Sequence, residues 1–149
     1  MHSWRVLLLP YEERGDLYRR YRLDEPWDGP HNRALARESV REYRCPISEG
    51  PEAGRMAGYV AVLGPRTAWS SGVVGRVPPA PRVLLVEFPD SQIPWLEPRD
   101  VGVDEARHIL RPGALYLDTL FHPAEVPAEA MPEDIDKLLI GPDEKPGAK

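Results

Sequence analysis

RVLLVEF, from Arg82 to Phe88, holds four apolar residues in succession, Val83 to Val86. A strand that is apolar on both faces is covered on both, so this segment is predicted as a central strand. GYVAVLG, from Gly58 to Gly64, is a second strand with glycine at each end. In GALYLDTLF, from Gly113 to Phe121, Leu115, Leu117, Thr119 and Phe121 fall on alternate positions. That period predicts a strand with one covered face.

Other stretches follow helical spacing. Val6, Leu7 and Leu8, then Leu17, Tyr18 and Tyr21, lie either side of Pro10 and Gly15. They predict two short helices over Ser3–Arg22, hinged at the proline. Asn32 to Tyr43 places Leu35, Ser39 and Tyr43 beside Ala36 and Val40, a helix capped by Asn32 and ended at Cys45 and Pro46. Val103 to Leu110 reads as two turns with Asp104 as the cap. The last helix is the best marked. Pro132 stands in its first turn with Glu133 and Asp134, Ile135, Leu138 and Leu139 form the stripe, and Gly141 and Pro142 stop it. Asp24–Asn32 and Ser48–Arg55 are loops, and Arg66 to Pro81 is a long connection with room for a short edge strand. The pattern defines an α+β fold: early helices, a short antiparallel sheet and a closing helix. It is read as one domain over residues 1–141 with a flexible tail over 142–149.

Composition narrows the function. The chain has 149 residues, 42% apolar and 29% charged, enough for a globular core. Its 18 prolines favour short elements joined by stiff loops. A net charge of −5 argues against a nucleic-acid partner, and the basic cluster of Arg19, Arg20 and Arg22 reads as a solvated face. Val6 to Leu9 is too short an apolar run for a signal-peptide core or a membrane span.

Few residues are spaced for catalysis. Cys45 is the sole cysteine and reads as a buried structural thiol. The serines of WSSG, Ser70 and Ser71, lack the spacing of a nucleophile elbow. His2, His31, His108 and His122 are scattered; Asp104 and His108 share a helix face, as surface pairs often do. Glu87, Asp90, Glu97, Asp100 and Asp104 offer oxygen donors for calcium without the spacing of an EF-hand. Asp90, Glu97, Asp100 and Asp104 are the metal candidates, set against a plain solvated acidic loop. Trp4, Trp27, Trp69 and Trp95 each sit near a loop or an element end, where an indole covers the edge of a core. Trp27 and Trp95 have a second reading as anchors for a partner.

One stretch fits neither period. IPWLEPRD, Ile93 to Asp100, puts a tryptophan between two prolines and follows it with alternating charges. Pro94 and Pro98 push the residues before them towards extended geometry, so this is a stiff loop.

SWRVLLLPYEE, LYRRYRLDEPWDGPHNRAL, YRCP, GYVAVLGPRTAW and RVLLVEFPDSQIPWLEPRDV follow one another in this order. Together they resemble a pseudopilin-like family of unknown function, abundant in planctomycete-type bacteria and often labelled solute-binding-like. The resemblance runs from about Ser3 to Val101, and more loosely to the closing helix. It implies a type IV pilin-like α+β head, which in the family follows a prepilin leader and a long apolar helix. This chain starts at Met1 without them, so membrane anchoring is expected only through an upstream helix. The family's C-terminal His-x9-Asp-Gly signature is altered, with Arg111 in the histidine's place and Asp118-Thr119 for Asp-Gly. In this likeness Ile93–Asp100 is a structural signature loop, with Trp95 packed on the sheet and Glu97, Arg99 and Asp100 free to pair.

The resemblance implies a non-enzymatic protein of the cell envelope or a type II secretion-like system. Its expected partners are other pseudopilin-like subunits in an extracytoplasmic setting. The alternative is a soluble ligand- or calcium-binding module built on the acidic loop, and a small enzyme using Cys45 or a histidine ranks third.

Overall fold

The computed structural model describes residues 1–50, 52–70 and 81–142. The chain divides into two compact units, Met1–Tyr59 with Phe88–Arg99, and Val60–Glu87 with Asp100–Lys149.

The first unit opens with helix α1 (Trp4–Leu8), a 3-10 turn at Leu9–Tyr11 and helix α2 (Gly15–Arg20). Ser3 accepts the Arg5 amide at the start of α1, and Pro10 enters the 3-10 turn at its first positions, where a missing N–H costs nothing. The predicted hinge at the proline is therefore present. Val6, Leu9, Leu17, Tyr21, Leu35, Val40, Tyr43, Trp95 and Leu96 form the core of this unit.

The long helix expected over Asn32–Tyr43 is instead two pieces. Helix α3 covers Pro30–Leu35 and a 3-10 turn covers Arg41–Tyr43. Gly29, not Asn32, holds the cap position, because Pro30 has its φ preset for a first helical turn. The helix ends early because Val40 is extended and gives its N–H to the Gly54 carbonyl at 2.8 Å. A tertiary bond there replaces the intrahelical one.

Further along, Ala57 N–H donates to Ile93 O at 2.7 Å and Trp95 N–H to Arg55 O at 3.0 Å, so 55–57 and 93–95 pair locally as antiparallel chains. Gly58 N–H donates to Tyr43 O at 2.7 Å. Only glycine fits so close an approach, since a Cβ there would lie 2.2 Å from the Cys45 backbone nitrogen.

The sheet contains β1 (Tyr59–Leu63), β2 (Val83–Glu87), β3 (Val101–Gly102), β4 (Leu115–Asp118) and β5 (Pro123–Glu125), in the order β3-β1-β2-β4-β5. As its apolar run predicts, β2 is interior to the sheet, with Val83, Leu84 and Val86 buried. β2 pairs antiparallel with β4, and β4 with β5, while β1 and β3 pair in parallel through Val62 and Val101. The sheet is thus mixed, and the fold is α+β.

Two expectations change in the second unit. The alternation from Leu115 to Phe121 does not give one covered face: Thr119 is buried, but Leu115 is exposed and Phe121 is 69% exposed. The strand ends at Asp118, whose Oδ1 accepts the amides of Leu120 and His122 at 2.7 and 2.9 Å. That turn carries Phe121 out of the strand at φ 62°. Helix α4 (Val103–Ile109) is headed by Gly102, and Asp104 lies in its first turn, 2.5 Å from Arg107. Helix α5 (Pro132–Ile140) starts and stops where the sequence marks it, with Gly141 at φ 78°. Arg107 ties α4 to α5 through Asp136 at 2.7 Å.

Most of the connection with room for a short edge strand, residues 71–80, lies outside the described residues, as does the tail from 143 onward. Among the described residues no helix is long and apolar enough to cross a membrane.

Candidate functional site

In the first unit three polar arrangements hold the loops that carry the most distinctive sequence. The first is the IPWLEPRD loop. Trp95 and Leu96 are wholly buried, and the Trp95 indole N–H donates to Glu38 O at 3.1 Å. Contrary to expectation, the loop is not extended between its prolines: Glu97 N–H donates back to Pro94 O at 2.9 Å, closing a turn over Trp95 and Leu96 that sends the ring into the core. At its far end Glu97 meets Arg99 at 3.3 Å. A tryptophan between prolines is therefore a core plug on a stiff backbone. It is not a surface anchor.

The second arrangement is built on Asn32, which is fully buried. Its Oδ1 accepts Arg22 N–H at 2.9 Å, and its Nδ2 donates to the carbonyls of Arg22, Glu25 and Pro26 at 2.8, 3.1 and 3.1 Å. Glu25 accepts the amides of His31 and Asn32 at 2.8 and 3.4 Å. The EPWDGPHN loop is thus wrapped around one amide side chain, with Trp27 half-buried against the core.

The third is Arg5, fully buried in α1. Its Nε and Nη2 donate to Tyr59 O at 3.2 and 2.8 Å, and its Nη1 to Ser3 Oγ at 3.2 Å. The guanidinium carbon stands 4.5 Å from the centroid of the Trp4 ring, a cation–π contact. Tyr43 closes the arrangement by donating its hydroxyl to Arg5 O at 2.5 Å.

Burial, and then the nearby Glu12 carboxylate, push the Tyr43 phenol well above its ordinary range. The unfolded chain releases that proton near pH ~10 while the folded chain keeps it, so stability is full below that pH and falls as pH rises above it. The expected slope from this group is up to about 1.4 kcal/mol per pH unit. Tyr43→Phe should lower stability at neutral pH by about 1–2 kcal/mol and flatten the alkaline slope. Denaturation in urea at several pH values from neutrality to alkaline checks both. Equal slopes in the variant and the wild type would contradict the burial of this phenol.

The metal candidates do not converge. In the first unit Asp90 is exposed and Glu97 is engaged with Arg99. In the second, Asp100 accepts the Ala61 amide at 2.9 Å, and Asp104 is 94% exposed beside Arg107. Among the described residues no three histidine, cysteine or acidic side chains are gathered to hold an ion. Cys45 is buried, His2 lies 2.8 Å from the Tyr21 hydroxyl, and His31 lies 2.7 Å from Arg20 O. In the second unit Trp69 donates to Leu84 O at 2.9 Å, and exposed His122 lies 3.9 Å from Asp118.

Sequence reasoning missed Arg5 and the buried role of Asn32. The signal for Arg5 was a lone cation inside the apolar run WRVLLL. Asn32 gave none, because its partners are a backbone amide and backbone carbonyls supplied by the fold.

The family described as SBP_bac_10, protein of unknown function (DUF1559), matches residues 1–79. The match spans more than half of the 149 residues, and the chain belongs to that family. No curated protein and no solved structure matches it.

Proposed function

We propose that this chain acts without catalysis, as a pseudopilin-like head that works through protein–protein contacts in the cell envelope or a type II secretion-like system. The observation that carries the reading is the surface of α1 and the turn after it. Arg5, Val6 and Leu9 are fully buried there, whereas Leu7 is 49% exposed, Leu8 is exposed and Tyr11 is 82% exposed. Apolar side chains held at the surface so close together mark a contact face. The buried side of the same helix is tied down by the Arg5 arrangement, so the face is presented on a rigid support. The likeness to pseudopilin-like heads supplies the setting, with other such subunits as the partners.

The double variant Leu7→Ser/Tyr11→Ser tests it, because neither side chain contributes to the core. Sedimentation velocity should show the wild type associating as its concentration rises and the variant remaining monomeric. A wild type that stays monomeric throughout, sedimenting as the variant does, would contradict assembly through this face.

A further inference from the structure

A groove of about 640 Å³ opens in the first unit, away from the residues just named. Its lining includes Arg33, Arg37, Arg55 and Glu52, with Met56 and Pro94 among its apolar members. Arg55 is committed within the fold, since Nε donates to Arg37 O at 3.0 Å and Nη1 meets Glu52 at 2.6 Å. That pair is neutral as a unit. Arg33 and Arg37 are exposed, and neither side chain has a hydrogen-bond or ion-pair partner among the described residues. The groove therefore carries two uncompensated guanidinium groups beside an apolar surface, on a chain whose net charge is −5.

We propose that this groove binds an acidic peptide segment of a partner protein. Guanidinium groups take carboxylates in paired, directional hydrogen bonds, which gives such a ligand its register. Met56 and Pro94 provide the contact for the stems and apolar residues between the carboxylates. The volume is far larger than an inorganic anion needs. With Arg33, Ala34, Arg37 and Glu52 exposed, the groove is open to solvent, so a small organic ligand would stay half-wet there while a peptide chain could lie across it. Two free cations are too few for a nucleic acid, whose affinity comes from neutralising many phosphates. This proposal rests on a different surface from the α1 face, so either can fail without the other.

The test is fluorescence anisotropy with labelled hexaglutamate, using hexaglutamine as the neutral control. The wild type should bind hexaglutamate, release it as salt is raised and ignore hexaglutamine. Arg33→Glu/Arg37→Glu should weaken binding roughly tenfold or more, as two attractions become repulsions. Arg19→Glu, an exposed reversal outside the groove, should bind as the wild type does. Arg33→Gln and Arg37→Gln, each several-fold weaker at an unchanged melting temperature, separate lost recognition from lost folding. Equal binding by the charge-reversed variant would overturn the proposal. So would full competition by inorganic phosphate or citrate at matched ionic strength, which marks a small-anion site, or by single-stranded oligothymidylate.

Discussion

Trp95→Ala is expected to destabilise the chain by about 3–5 kcal/mol, the cost of emptying a large aromatic from a packed core. The ring is wholly buried among Val6, Leu9, Leu17 and Tyr43, and its removal also leaves the Glu38 carbonyl without its 3.1 Å donor. Pro94 and Pro98 stiffen the loop, so the backbone cannot collapse far into the space left behind. Urea denaturation measures the loss directly. Trp95→Phe divides the two contributions in part, because it keeps most of the volume while removing the N–H together with a smaller part of the ring. It should lose about 1–2 kcal/mol. A loss below about 1 kcal/mol for the alanine variant would mean that the ring is not packed as described.

Asn32→Ala is expected to cost about 2–4 kcal/mol, more than a typical polar substitution. The carbonyls of Arg22, Glu25 and Pro26 and the Arg22 amide all lose a buried partner at once. Asn32→Asp should be nearly as damaging, since a carboxylate keeps the acceptor for the Arg22 amide but faces three carbonyl oxygens with no hydrogen to offer. Faster amide exchange over 22–32 would localise the effect to the wrapped loop. An alanine variant as stable as the wild type, with unchanged exchange, would show that the loop holds without this side chain.

What the sequence made legible follows from periodicity. β2 and α5 were readable because their partners are implied by their own pattern: a doubly apolar strand must be interior, and a proline-headed, glycine-ended stripe is a helix. The break between Leu35 and Arg41 was not, because it depends on the Val40 amide finding Gly54, which no local spacing records. The end of β4 was hidden for a similar reason. Leu115 to Phe121 alternates as a strand would, yet Asp118 caps a turn that swings Phe121 outward. The IPWLEPRD loop shows the limit for function as well as fold. Its composition allowed a core plug or a partner anchor, and only the burial of Trp95 separates the two. The apolar surface at Leu7, Leu8 and Tyr11 was likewise invisible, because an apolar run does not reveal which of its members face water.

That surface is best tested where the protein works. Tyr11 is to be replaced by a photo-crosslinking phenylalanine analogue, and living cells of the native host irradiated. The expected product is a discrete crosslink from position 11 to a second copy of this chain or to another member of its family, identified by mapping the joined peptides, and lost when Leu7→Asp is added. An analogue that crosslinks to nothing, or whose products are unchanged by Leu7→Asp, would contradict a head that works through this face.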